Sequence, residues 1–502
     1  MRKPIVQLAA LAAVSAAIYA LAFVWHYSLV KWWSIPQETI AKISHHAPLA
    51  AAAYVVAFAA LFLLYALACR IARGKHRAAV WGVVIAGALA FNVILLLLYP
   101  VDAADIFDNI VHGRMTALYG ANPFYQTAVE FHQDQFFRYA AWDYYPTAYG
   151  PGWELLAAGA AKFAGDGVIA NVLTFKLIGV LAYAGAAALI VLTLRQHAPE
   201  RALYGVVLFA WNPLVLYVTA GNGHNDAVMV LFIALGLYLL TARRFTLAAA
   251  ALTLGATIKF IPALLLPIVL IAGYKSARGW RTRAIFLIVT FAVCAVIAAG
   301  LYAPFWRGGD ILGVKRRSDL FTTSLPTLVE ITLQPGLGKS LSEFVTVRLA
   351  IVLVGAWIVR QTRKVWRDIS PNAVVAAAAS ILLFYLLVAC LWFQAWYAVW
   401  PIAVAALLPE NALGRGALWL SYIATWKMPL FEFVLVPGRP PLPPRDWREW
   451  RITLGTLGAP WAFFIYQSTK KRIKRYGSRV ARDRQAPRAG TNQNAIDSAP
   501  LG

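Results

Sequence analysis

Long apolar stretches separated by short basic clusters run through most of this 502-residue chain. Runs such as AGALAFNVILLLLYP, GVLAYAGAAALIVLTL and AIFLIVTFAVCAVIAAGLY show no alternation of apolar and polar positions. As helices rising about 1.5 Å per residue, they are long enough to cross a hydrocarbon layer about 30 Å thick. A β-barrel is excluded, because its strands would alternate. The pattern predicts an all-α polytopic membrane protein of about 11–14 transmembrane helices. Expected spans are residues 5–24, 48–69 and 79–99, then a short dipping helix (WELLAAGAAKF) and a true span within 151–194. Next come 202–220 and 227–241 around the turn GNGHND, and a hairpin at 245–273 broken near Lys259 and Pro262. Later spans are expected at 284–304, 346–362, 372–391, 396–409, 416–435 and 452–467. The N-terminal helix reads as a first span, with a signal peptide as the alternative.

Composition agrees: 61% of residues are hydrophobic and 14% charged, and mean hydropathy is +0.63. The net charge of +24 raises the question of nucleic acid, but the placement of the charges answers it. The excess sits in RIARGKHR, ARRF, KSARGWRTR and RQTRKVWR between spans, and in the tail KKRIKRYGSRVARDR. That is the asymmetry that orients membrane proteins with basic loops inside; no nucleic-acid partner is implied. It puts two large segments outside, loop one at 100–150 and loop two at 305–345, with short interfacial helices expected on them. Residues 1–469 read as one transmembrane domain and 470–502 as a basic, disordered cytoplasmic tail. The three cysteines (Cys69, Cys294, Cys390) sit in or beside apolar runs and suggest neither a disulfide framework nor a metal cluster.

Loop one reverses the charge of the chain. It holds Asp102, Asp105, Asp108, Glu130, Asp134 and Asp143 against Arg114 and Arg138. In VDAADIFDNIVHGR the first three aspartates and His112 are spaced to share one helical arc, with Ile106, Phe107, Ile110 and Val111 opposite. A solvated acidic face is one reading. Ionisable groups at a membrane boundary are also functional candidates: an aspartate in a dehydrated cleft suits general-base work on a hydroxyl, and Asp102 with Asp105 could hold a divalent metal, the only cofactor the pattern admits. Downstream, Trp142, Tyr144, Tyr145, Tyr149 and Trp153 supply flat faces of the kind that pack on sugar rings or line a membrane interface.

The order Asp105-x-x-Asp108, His112-Gly113-Arg114, Gly120-x-Asn122-Pro123 and Tyr149-Gly150-Pro151 resembles the first extracytoplasmic loop of GT-C superfamily glycosyltransferases. It is similar in particular to bacterial polyprenyl-phosphate-mannose-dependent mannosyltransferases and to the first mannosyltransferase of GPI-anchor assembly. WNPLVLYVTAGNGHNDA and TIKFIP follow in the same order, so the resemblance covers roughly residues 80–275. It implies an inverting transfer of a hexose, most simply mannose, from a polyprenyl-phosphate donor to a glycan or glycolipid acceptor at the outer face of the plasma membrane. Asp105 best matches the base and Asp102 is next, while Asp108 would orient the acceptor or bind metal. The close DxD form of some relatives is absent. Substrate contacts are expected from His112, Arg114, Asn122, Tyr149, His224, Asp226 and Lys259, and phosphate contacts from Lys315, Arg316 and Arg317 of loop two. Gln394, Trp396 and Tyr397 read as an interfacial belt with a sugar contact as the second reading. The rival function is a transporter or flippase for a lipid-linked sugar. It predicts charges buried in mid-span and repeated halves, whereas the acids here cluster in one loop.

Overall fold

The computed structural model describes residues 3–36, 39–74, 78–102, 104–312, 320–408, 410–436 and 443–485. Among these residues there is no β-strand, only two isolated bridges, Ser28–Leu98 and Thr322–Trp392. The protein is an all-α polytopic membrane protein. Among the described residues seven helices are long and apolar enough to span a bilayer: Lys3–Val24, Pro48–Ile71, Ala78–Leu96, Val168–His197, Trp280–Phe305, Lys339–Arg367 and Pro371–Ala389. The pair Pro199–Ala210 and Pro213–Gly221, bent by 51°, is long and apolar enough only when its two helices are taken together. The bend has a local cause. Pro213 has no N–H to continue the first helix, and the Asn212 side chain accepts from the N–H groups of Leu214 and Val215 at 3.0 and 3.3 Å, restarting the second. Four shorter apolar helices, Asp226–Thr241, Phe245–Ala256, Ile261–Ser276 and Ala395–Ala405, cover segments that the sequence pattern also reads as spans. Contacts divide the chain into residues 1–460 and 461–502. The first unit holds the features described below. The described part of the second is the end of the Arg445–Gln485 helix, which takes in part of the predicted tail; residues 486–502 lie outside the described set.

Three helices position the acidic loop and are labelled α1 (Asp105–Tyr119), α2 (Pro151–Ala164) and α3 (Val168–His197). Helix α2 is the predicted dipping helix and α3 the span after it. Helix α1 ends at Gly120, whose φ of 61° is the left-handed conformation that glycine adopts without strain. It packs closely on α2 because Gly113 has no side chain: a Cβ there would lie 2.4 Å from the Ala157 carbonyl oxygen. Every residue from Ile106 to Met115 is buried, so α1 is enclosed on both faces. Upstream, the fully buried Lys176 of α3 donates to the carbonyls of Leu95, Leu96 and Leu98. These carbonyls lie at and just beyond the end of the Ala78–Leu96 helix, and the loop starts there.

The predicted hairpin is present and broken where expected, between Phe245–Ala256 and the turn opening at Ile261. The break leaves carbonyls free to bond elsewhere. Ile258 accepts from the Gly150 N–H at 3.0 Å and Thr257 from the Gly152 N–H at 2.9 Å. A Cβ on Gly150 would sit 2.2 Å from the Thr257 oxygen, so the approach requires glycine. This joint brings Tyr149 and Lys259 to one place.

Candidate active site

At about 100° per residue, Asp105, Asp108 and His112 fall within about 60° of one another on α1, whereas Arg114, nine residues on, lands on the opposite side. The contacts follow this phase. Asp105, Asp108 and His112 all line a cavity of about 330 Å³. Arg114 does not; it is clasped by Asp134 and Asp166 at 3.0 Å each and lies over the Phe136 ring. Asp102 precedes the helix, which begins at Asp105, so the arc predicted from its spacing does not include it. Its N–H donates to the Asn222 side chain at 2.9 Å, and its carboxyl is not among the groups lining the cavity.

The groups facing Asp105 come from other segments of the chain, and of them His224 and Asp226 are not among the residues that line the cavity. Tyr149 donates to Asp105 Oδ2 at 3.3 Å. His224 Nδ1 lies 3.7 Å from the same oxygen, and its ring stacks on Trp396 with centroids 3.9 Å apart. Lys259 reaches into the cavity and forms an ion pair with Asp226 at 2.9 Å. Asp226 is buried and also accepts from Trp400 Nε1 at 2.5 Å. The Lys259 ammonium sits about equally close to the rings of Tyr149, Tyr397 and Trp400. Trp142 and Tyr145 add to the aromatic lining.

The three aspartates differ in electrostatics. Burial pushes the Asp105 carboxyl up to about 6, and the Lys259 charge restrains the rise. Burial takes Asp108 to about 8, against the pull of the Trp142 N–H. Burial takes Asp102 to about 7, with Lys427 pulling it down and Glu432 and Asp105 pushing it up. At neutral pH Asp105 is therefore the most fully ionised. Burial lowers His112 to about 4 and drives His224 well below its ordinary value. Both rings are neutral near pH 7, so the contact of His224 with Asp105 is that of a neutral imidazole and a carboxylate. Among the described residues no group of three His, Cys, Asp or Glu side chains could hold a metal ion. The pair suggested for a metal, Asp102 and Asp105, is not gathered at the cavity.

Of the other sequence candidates, Asn122 donates to the Phe305 carbonyl at 2.8 Å and accepts from the Phe124 N–H at 3.1 Å, which fixes a turn behind the cavity. Lys315, Arg316 and Arg317 lie outside the described residues. Sequence reasoning did not single out Trp400 or Lys427. Trp400 follows Trp396 by four residues, a one-face helical spacing. Lys427 is a lone cation in the apolar run YIATWKMPLFEF and donates to the Phe393 carbonyl at 3.0 Å.

Fold and cavity together define a GT-C-like integral membrane protein with an acidic, aromatic-walled site at the junction of its first loop and broken hairpin. Residues 6–275 match the family model described as alpha-(1->6)-mannopyranosyltransferase, N-terminal domain. That is more than half of the chain, and the chain belongs to this family. Two similar proteins are each named Alpha-(1->6)-mannopyranosyltransferase A. The one from Mycobacterium tuberculosis is 26% identical over 326 residues, 58% of each chain. The one from Corynebacterium glutamicum is 24% identical over 199 residues, 38% of this chain and 39% of that one. The chain thus spans less than two thirds of either relative in these matches, and neither relative is named as a transporter.

Proposed function

We propose that the protein is an inverting mannosyltransferase that moves mannose from a polyprenyl-phosphate donor to a glycan or glycolipid acceptor on the extracytoplasmic side of the plasma membrane. One observation carries the choice of base. Asp105 lines the cavity, is the most fully ionised of the three aspartates at neutral pH, and has one oxygen held by the Tyr149 hydroxyl. In the transfer, the acceptor oxygen forms its bond to the anomeric carbon as the bond from that carbon to the lipid-phosphate oxygen breaks. The acceptor proton passes to Asp105, and the electron pair leaves with the phosphate. Both relatives are named for an alpha-(1->6) linkage; an inverting enzyme making it consumes a β-linked donor.

His112 and Tyr149 offer hydrogen bonds to sugar hydroxyls, while His224 stands behind Trp396 against Asp105. Lys259 supplies positive charge near the leaving phosphate, tempered by Asp226, and Lys315, Arg316 and Arg317 are assigned to the phosphate as well. The aromatic wall suits the C–H faces of pyranose rings. Arg114 and Asn122 serve by holding the loop in shape. A lipid-borne donor explains why this chemistry belongs in an integral membrane protein.

The test is transfer from labelled polyprenyl-phosphate-mannose in reconstituted vesicles. Wild type and Asp102→Asn are expected to form glycosidic product, and Asp105→Asn to form none. Full turnover by a folded Asp105→Asn protein would overturn the assignment of the base. Translocation of the donor without product would overturn the enzyme reading.

A further inference from the structure

Asp108 lines the cavity yet spends one carboxylate oxygen elsewhere. Its Oδ1 accepts from the backbone N–H groups of Ala141 and Trp142 at 2.8 and 3.0 Å. Its Oδ2 is enclosed with no hydrogen-bond partner among the described residues, and Asp108 is 6% exposed. The segment it grips is an aromatic loop whose far end is tied by the Thr147 N–H to the Pro123 carbonyl at 2.8 Å. Between the ties the Trp142 ring meets Tyr145 at 5.6 Å and Trp392 at 6.0 Å, both nearly edge-on. Trp142 and Tyr145 line the cavity and remain 39% and 52% exposed, so the wall presents open ring surface beside polar groups. Aromatic surface of this kind is what a sugar's apolar face covers.

We infer that Asp108 is a positioning residue and not a proton acceptor: it clasps the 141–147 loop so that Trp142 forms the platform on which a substrate pyranose ring packs. The identity of the substrate rests on the function proposed above; the clasp itself does not. A base at Asp108 would have to release Oδ1 from two amide donors or expose an oxygen that is now enclosed. A clasp needs only an acceptor atom at Oδ1, which asparagine also supplies.

The full-length protein in vesicles decides this with two readouts. Amide hydrogen exchange over residues 140–147 is expected to be slow in wild type and Asp108→Asn, and fast in Asp108→Ala, which deletes the acceptor. In the transfer assay, Asp108→Ala and Trp142→Ala are each expected to raise KM roughly tenfold with the shape of the pH profile kept. Asp108→Asn should recover KM to within about threefold of wild type. The double variant Asp108→Ala/Trp142→Ala should be no worse than Trp142→Ala, because both changes remove one platform. The inference is overturned if Asp108→Asn loses kcat as severely as Asp105→Asn, if the two alanine effects multiply, or if exchange at 141 and 142 ignores Asp108→Ala. An inactive wild type would overturn the proposed function, while the exchange result would still decide the clasp.

Discussion

Taking the pH from about 7 to about 5 is expected to cut kcat/KM roughly tenfold. The perturbation acts on Asp105, held near 6 mainly by burial. A general base works only when ionised. With that value the carboxylate is about 90% ionised at pH 7 and about 10% at pH 5, whereas an ordinary aspartate near 3.9 would stay above about 90% throughout. The acid limb therefore separates the two cases clearly. Initial rates at low substrate, measured from about pH 5 to about pH 8, give the profile; Tyr149→Phe, which removes a hydroxyl bonded to the carboxylate, should move the limb upward.

Stability supplies an internal control. A carboxyl whose folded value lies above its unfolded value favours the folded state at low pH, and this contribution is lost as pH rises from about 4 through about 6. At pH 7 the buried charge costs at most about 3 kcal/mol. Asp105→Asn removes it, so the inactive variant should melt no lower than wild type, and its inactivity cannot be attributed to misfolding. A flat profile down to pH 5, or wild-type turnover by Asp105→Asn, refutes the reasoning.

Two structural predictions accompany it. Lys259→Met strands the buried Asp226 carboxylate, and loss of about 3–5 kcal/mol is expected in denaturant unfolding; adding Asp226→Asn to the same chain should recover part of it. Gly113→Ala sets a Cβ against the Ala157 carbonyl and should cost about 1–3 kcal/mol as α1 and α2 are pushed apart, while Gly159→Ala on α2, where nothing lies within 4 Å, should be neutral or slightly stabilising in the same measurement.

What the sequence disclosed depends on how local each cause is. Most spans were legible because uninterrupted apolar runs have one stable solution in a bilayer, but the expected spans 416–435 and 452–467 do not match helices long and apolar enough to cross one. The hairpin break was legible because a lysine and a proline interrupt such a run. Asp105, Asp108 and His112 were legible together because one helix fixes their phase. Asp102 was drawn into that arc by its spacing alone, whereas the helix starts three residues later, at Asp105. Arg114 was read with its neighbour His112 as one motif, yet two residues of helix turn it away from the cavity. The far wall was legible only through the resemblance, which named Tyr149, His224, Asp226 and Lys259 but not how they meet. No periodicity in loop one announces that Trp396 will stack on His224, or that Trp400 will bond Asp226 from 174 residues away; only the tertiary fold brings them together.

The joint between Gly150, Gly152 and the broken hairpin also sets an order of assembly. The acidic loop leaves the ribosome early, but the carbonyls that cap α2 and the ammonium that moderates Asp105 are synthesised only after α2, α3, the bent pair 199–221 and the helices Asp226–Thr241 and Phe245–Ala256. The indole that bonds Asp226 comes later still. Until then the nascent chain carries its carboxylates at the membrane edge without their partners, in the kind of incomplete state that quality-control machinery recognises. The loop that defines the protein is among the first parts translated and among the last to be finished.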